Sequence, residues 1–155
     1  MRELALAFVI CALAAVLEGT MAGNGVRQRF HELRLPAGSP TLPVWIAIGI
    51  LYYVICLVVL YRLLLHGLSG AFALSAFVLM LAAMIYNSAW NWLFFRRKKM
   101  RASFLSFIPY GMLIAVLTVC LLRVDLWAAF TLVPYLCYLP YATWWGYRLW
   151  QLNRR

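Results

Sequence analysis

LPVWIAIGILYYVICLVVLYRLLL, residues 42–65, is an apolar run interrupted by a single charge, Arg62. A helix needs about 20 mostly apolar residues to cross the hydrocarbon core of a bilayer, and this run is long enough. The same test picks out four more runs, at about 4–22, 71–95, 103–122 and 126–150. Thr20, Met21 and Ala22 would pass as a signal-peptide cleavage site, but the rest of the chain offers no soluble domain to secrete, so the first run reads as a helix. The spacing therefore predicts an all-α membrane protein, a five-transmembrane-helix bundle forming one domain over residues 1–155. The longest connection is loop 1, about 23–41. It is polar and carries Arg27, Arg29, Glu32, Arg34, Pro36 and Pro40. Loops of this length tend to be lids or binding segments.

Composition agrees with a membrane solvent. The 155 residues are 66% hydrophobic and 12% charged, against about 45–50% and about 25% in soluble domains. An ordinary cytosolic enzyme and a disordered regulator are both excluded. The net charge of +10 does not make a nucleic-acid module, because the charge lies between apolar runs and not on one soluble face. Cys11, Cys56, Cys120 and Cys137 each fall in a different apolar run and read as small packing residues. His31 and His66 form no ligand spacing with them.

The charge distribution sets an orientation. With five spans, Arg27, Arg29, Arg34, the run Arg96, Arg97, Lys98 and Lys99 with Arg101, then Arg148, Arg154 and Arg155, share one side. Arg2, Arg62 and Arg123 fall on the other. Basic loops stay cytoplasmic, which puts loop 1 and the C-terminus in the cytoplasm and favours a bacterial inner membrane. Anionic lipid is a secondary use for the basic cluster. Trp127 and Trp150, roughly 34 Å apart along a helix at ~1.5 Å per residue, suit the two interfaces.

Few residues carry chemistry. Asn87 and Asn91 stand one turn apart in the third run, beside Trp90. Amides in hydrocarbon need partners, so they are either interhelical glue or polar anchors in a cavity, with glue favoured for Asn91. Tyr138, Ala142 and Trp145 recur along one face of the fifth helix, where Pro134 and Pro140 remove backbone hydrogen bonds and favour a bend. That face suits the wall of an apolar pocket. Glu18 is the sole acid well inside a span, a functional candidate by default. Its plainer role is to reach the interface or to pair with a loop arginine. No catalytic triad, carboxylate pair, metal cluster or phosphate loop is visible, so an enzyme is disfavoured, and Glu18 would be the acid of one.

Two strings go further. NSAWNWLFF, residues 87–95, resembles the N-x-x-W-x-x-L/V-F-F signature of the tryptophan-rich sensory protein (TspO, translocator protein) family. DLWAAFTLVPYL, residues 125–136, is similar to the D-x-x-A-x-x-L/F-x-P-Y-L that opens that family's fifth helix. Ala142, Thr143, Leu152 and Asn153 continue the register. Leu33, Pro36, Pro40, Tyr53 and Arg62 fall where the family has its first loop and second helix. The resemblance implies a five-helix bundle, often a homodimer, that binds porphyrin, haem, sterol or drug-like molecules between its helices under a lid made by the first loop. No cofactor is obligatory. The partners implied are membrane lipid, a tetrapyrrole or sterol-like molecule and a second copy of the chain, and the resemblance adds a mitochondrial outer membrane as the alternative to a bacterial inner one. The residues it brings forward are Glu18, Arg34, Trp45, Asn87, Trp90, Tyr138, Ala142 and Trp145, with Arg29 or Arg34 meeting a ligand carboxylate at the rim. The chain departs from the pattern where family tryptophans fall on Pro43, Gly49 and Tyr138, and where an asparagine falls on Gly146. An alternative is a structural subunit that keeps the fold and has lost the pocket.

Overall fold

The computed structural model describes residues 1–154. Arg155, counted above with the C-terminal charges, lies outside them. The described chain is all helix and turn, with no strand. Helix α1 is Arg2–Ala22, and α2 is Val26–Glu32. Helix α3 is Leu42–His66, and α4 is Ala71–Asn91, continued by a π-helical turn, Trp92–Arg96. Helix α5 is Met100–Leu105, α6 is Phe107–Val124 and α7 is Leu126–Leu152.

Four segments are long and apolar enough to cross a membrane: Arg2–Ala22, Leu42–His66, Ala71–Arg96 and Met100–Val124. Helix α7 is the longest, at 27 residues. Its tyrosines, tryptophans and two prolines make it less hydropathic than those four. It runs unbroken through Pro134 and Pro140, although each proline withholds a backbone donor.

Local chemistry explains most of the boundaries. Helix α1 stops at Gly23 and α3 at Gly67. Both have positive φ (74° and 88°) and donate back to the preceding turn, a conformation that costs glycine little. Pro43 sits in the first turn of α3, where its missing N–H matters least. Asp125 caps α7, its carboxylate accepting from the N–H groups of Trp127 (2.9 Å) and Ala128 (3.2 Å). The same carboxylate takes a two-pronged ion pair from Arg62 of α3, at 2.7 and 2.9 Å. Partial burial acts to raise the pKa of this carboxyl. The Arg62 guanidinium and the two helix N–H donors outweigh burial and hold it below the usual carboxylate range.

Three elements differ from the sequence expectation, the first being the run at about 103–122, which is two helices, α5 and α6, divided at Ser106. Loop 1 contains the seven-residue helix α2, too short and too polar to show as an apolar run. The end of the third long run is a π turn in place of α-helix, closed by Arg97 N–H to Trp92 C=O at 3.0 Å. Lys98 follows at φ 52° and turns the chain into α5.

The long helices pack as a closed ring in which α1 touches α4, α4 touches α6, α6 touches α7, α7 touches α3 and α3 touches α1, with α3 also reaching α4 across the centre. The core is built from Ile55, Cys56, Val59, Leu60 and Leu63 of α3, Met80 and Met84 of α4, Ile114, Leu117 and Leu121 of α6, and Ala128 and Leu132 of α7. Helix α1 contributes only Ala7 and Cys11 to the buried set. It therefore leaves space against its neighbours at its loop-1 end. Cys137, placed with the packing cysteines from sequence, is exposed on α7.

Candidate functional site

That space is a cavity of about 680 Å³ between α1, α3, α4 and α7, within the 300–1,000 Å³ range of small-molecule pockets. Its walls follow from the sequence. Helix α1 offers small residues, Ala12, Ala15 and Gly19, that do not fill the gap. Helix α3 adds Trp45 and Gly49, α4 and its π turn add Trp90, Phe94 and Phe95, and α7 adds Tyr138, Ala142 and Trp145. An added Cβ at Gly19 or Gly49 would meet nothing within 4 Å.

The aromatic wall is internally braced. Trp45 packs on Trp145 at 4.7 Å between ring centroids and edge-on to Tyr138 at 6.4 Å. Trp90 stacks on Phe94 at 4.9 Å, with 12° between the planes. The Trp90 indole N–H donates to the Ser103 carbonyl at 3.1 Å, and the Trp145 N–H donates to Ser39 Oγ at 2.9 Å. Two polar atoms in the wall are buried without a partner, Trp45 Nε1 and Tyr52 Oη.

At one end the cavity holds a polar cluster. Glu18 of α1 accepts three hydrogen bonds: from Tyr53 Oη (2.7 Å) and Asn87 Nδ2 (2.8 Å) on Oε2, and from Asn91 Nδ2 (3.0 Å) on Oε1. Asn91 Nδ2 also reaches the Asn87 carbonyl at 3.0 Å. The i, i+4 spacing of the asparagines aims both amides at one carboxylate. Among the described residues no loop arginine pairs with Glu18. Asn91 ties α4 to α1, the interhelical role expected of it.

Loop 1 covers the end of the cavity and is held by three tethers. Ser39, in a turn closed by its own Oγ on the Pro36 carbonyl (2.7 Å), receives Trp145 of α7. Asn153 brackets Arg34, accepting its N–H on Oδ1 and donating to its C=O from Nδ2, both at 3.1 Å. Lys98 pairs with Glu32 at 3.1 Å, and the hydrogen bond from its ammonium holds the Glu32 carboxyl below its ordinary range. Leu33 then packs with Phe94, Trp145 and Leu149.

Of the residues singled out from sequence, Glu18, Trp45, Asn87, Trp90, Tyr138, Ala142 and Trp145 all line the cavity. Arg34 does not. Its backbone is held by Asn153 and it is exposed. Arg29 does not line it either and stands 3.5 Å from Glu32. The rim expectation is corrected accordingly: loop 1 presents apolar Val26 and Phe30 to the cavity. The sequence reading missed Tyr53 as the third donor to Glu18. Its neighbourhood with the lone intramembrane acid depends on how α3 is rotated about its axis, which no local pattern records.

The wall also reaches the bundle surface. Phe8 of α1 and Ile46, Ile50 and Val54 of α3 line the cavity and are each about half exposed or more. The cavity therefore opens sideways between α1 and α3.

The model of the TspO/MBR family fits residues 7–151, which takes in most of α1, all of loop 1, α3, α4 and α6, and all but the last residue of α7. No curated protein matches the chain.

Proposed function

This chain belongs to the TspO/MBR family, and on that premise we propose that it is a five-span membrane protein that binds a flat apolar ligand between α1, α3, α4 and α7, as a carrier or sensor. It is an integral multi-pass membrane protein. The fifth span is α7, whose 27 residues exceed the length a bilayer requires. The ligand class to test first is a tetrapyrrole, porphyrin or haem, with sterols second.

The observation that carries the reading is the cavity: about 680 Å³, walled by stacked and tilted aromatic rings and by small α1 residues, with a hydrogen-bonded polar cluster at Glu18. An open cavity of this kind supports a binder over a structural subunit with a degenerate pocket. Orientation follows the basic loops, with loop 1 and the C-terminus cytoplasmic. A homodimer through α4 would use its outward stripe of Ala71, Leu74, Ser75, Val78 and Ile85, which the monomer leaves exposed. Small residues in such a stripe permit close helix approach.

The test is titration of the purified protein with protoporphyrin and with haem, followed by the shift of the main absorption band. Saturable binding at one site per chain is the expected result. Absence of any saturable change would remove the tetrapyrrole reading.

A further inference from the structure

The cavity that is proposed to bind a flat ligand is asymmetric in charge. Among the described residues that line it Glu18 is the only carboxylate, and none of them is a lysine, arginine or histidine. No basic side chain among the described residues lies within 4.0 Å of that carboxylate. Arg96 lies against Gly23 beyond the end of α1 and is not part of the wall. The three groups that hold Glu18 are neutral: one phenol and two amides.

A carboxylate has about four lone-pair positions on its two oxygens. Oε2 uses two of them, for Tyr53 and Asn87, and Oε1 uses one, for Asn91. One acceptor position on Oε1 is left, at the end of an apolar chamber. A negative charge held there by neutral donors attracts a cation. The walls act in the same direction. The faces of Trp45, Tyr138 and Trp145 are electron-rich, and cations are favoured over such rings. An anionic group placed beside Glu18 would meet like-charge repulsion with no compensating base.

We propose that the cavity selects flat apolar molecules carrying a protonated amine, whose N–H donates to the free position on Glu18 Oε1. This rests on the binding reading above and adds the charge of the ligand's buried end. A porphyrin would insert its macrocycle and leave its carboxylates outside.

The test uses three fluorescent tricycles that differ in one substituent on the central ring: anthracenylmethylamine, ethylanthracene and anthraceneacetate. Each is titrated at neutral pH into the full-length protein in an uncharged detergent. The neutral compound reports the flat-ligand reading, and the ratios report the charge preference. The amine is expected to bind about tenfold or more tighter than the neutral compound, as a charge-assisted hydrogen bond provides, and the acetate more weakly than the neutral compound. In Glu18→Gln the amine-to-neutral ratio should fall to near one. If Glu18→Gln does not fold, Tyr53→Phe serves: it frees a second acceptor position, so the ratio should hold or rise. Equal affinities for all three compounds would overturn the charge proposal and leave the flat-ligand reading standing. No saturable binding of any would overturn both. An amine preference that persists in folded Glu18→Gln, or collapses in Tyr53→Phe, would also overturn the charge proposal.

Discussion

The side chain of Asn153 pairs with the backbone of Arg34 as a second peptide group would. Its oxygen takes the N–H and its nitrogen serves the C=O, each at 3.1 Å, while the same nitrogen also reaches Leu149 C=O at 2.8 Å. The end of the last helix thereby clamps the far end of loop 1. Asn153→Ala should release it. Each lost neutral hydrogen bond is worth about 0.5–1.5 kcal/mol, so loop opening should become several-fold more frequent. Limited trypsin digestion at Arg27 and Arg29 would read this as faster cleavage with the bundle intact.

Ala142 is 3% exposed and forms part of the cavity wall on α7. Ala142→Phe should place a ring in the chamber and weaken porphyrin binding by about tenfold or more, on the scale of a filled pocket, with little change in melting temperature. Met112 of α6, 67% exposed and outside the cavity, is the control, and Met112→Ala should leave binding unaltered. Parental affinity in Ala142→Phe would place the ligand elsewhere.

Two glycines should respond oppositely to the same change. At Gly146 an added Cβ would stand 3.0 Å from Phe107 Cε2. At Gly49 it would meet nothing. Gly146→Ala should push the Phe107 ring or spread α6 from α7, costing about 1–3 kcal/mol. Gly49→Ala should gain roughly 0.5–1 kcal/mol from helix propensity. Thermal unfolding in detergent would rank the two variants.

The Arg62–Asp125 pair gives a pH dependence with a fixed sign. The carboxyl is held below its ordinary value of 3.8 in the folded state. Its stabilising effect is therefore full above the unfolded-state value and is lost as pH falls through the lower, folded one. Wild-type protein should lose stability on acidification below about pH 4. Asp125→Ala should be less stable at neutral pH by about 1–3 kcal/mol, through loss of the helix cap and of the charged hydrogen bonds, and should lack that part of the acid response. Parallel melting curves against pH for the two proteins would check this.

Orientation can be labelled directly. With the four native cysteines replaced by alanine, Arg27→Cys and Arg97→Cys should react with an impermeant thiol reagent from one side of the membrane, and Arg123→Cys from the other. Opposite-side labelling of positions 27 and 97 would remove the five-span assignment.

The long helices were legible because each is an apolar run ended by glycine, proline or charge. The segment expected at 42–65 is a helix over Leu42–His66, and that at 126–150 is one over Leu126–Leu152. The cavity's α7 wall was legible too, since Tyr138, Ala142 and Trp145 share a face by periodicity alone. Helix α2 was hidden because five of its seven residues are polar and none is buried, so no apolar run marks it. The π turn at Trp92–Arg96 was hidden because its residues are ordinary helix formers. Arg34 was misplaced for another reason: sequence can put a cation in a loop but cannot say which face of that loop turns inward. Here the inward face belongs to Val26 and Phe30.

The sideways opening between α1 and α3, edged by Phe8, Ile46, Ile50 and Val54, changes how occupancy is counted. A ligand entering there leaves hydrocarbon and not water, so its chemical potential is set by its mole fraction in the lipid. Diluting the aqueous phase around a fixed amount of loaded membrane should leave a strongly lipophilic ligand in place. Adding empty bilayer should strip it. Acyl chains can occupy the same slot, and the lipid itself then becomes the competitor against which any affinity is measured.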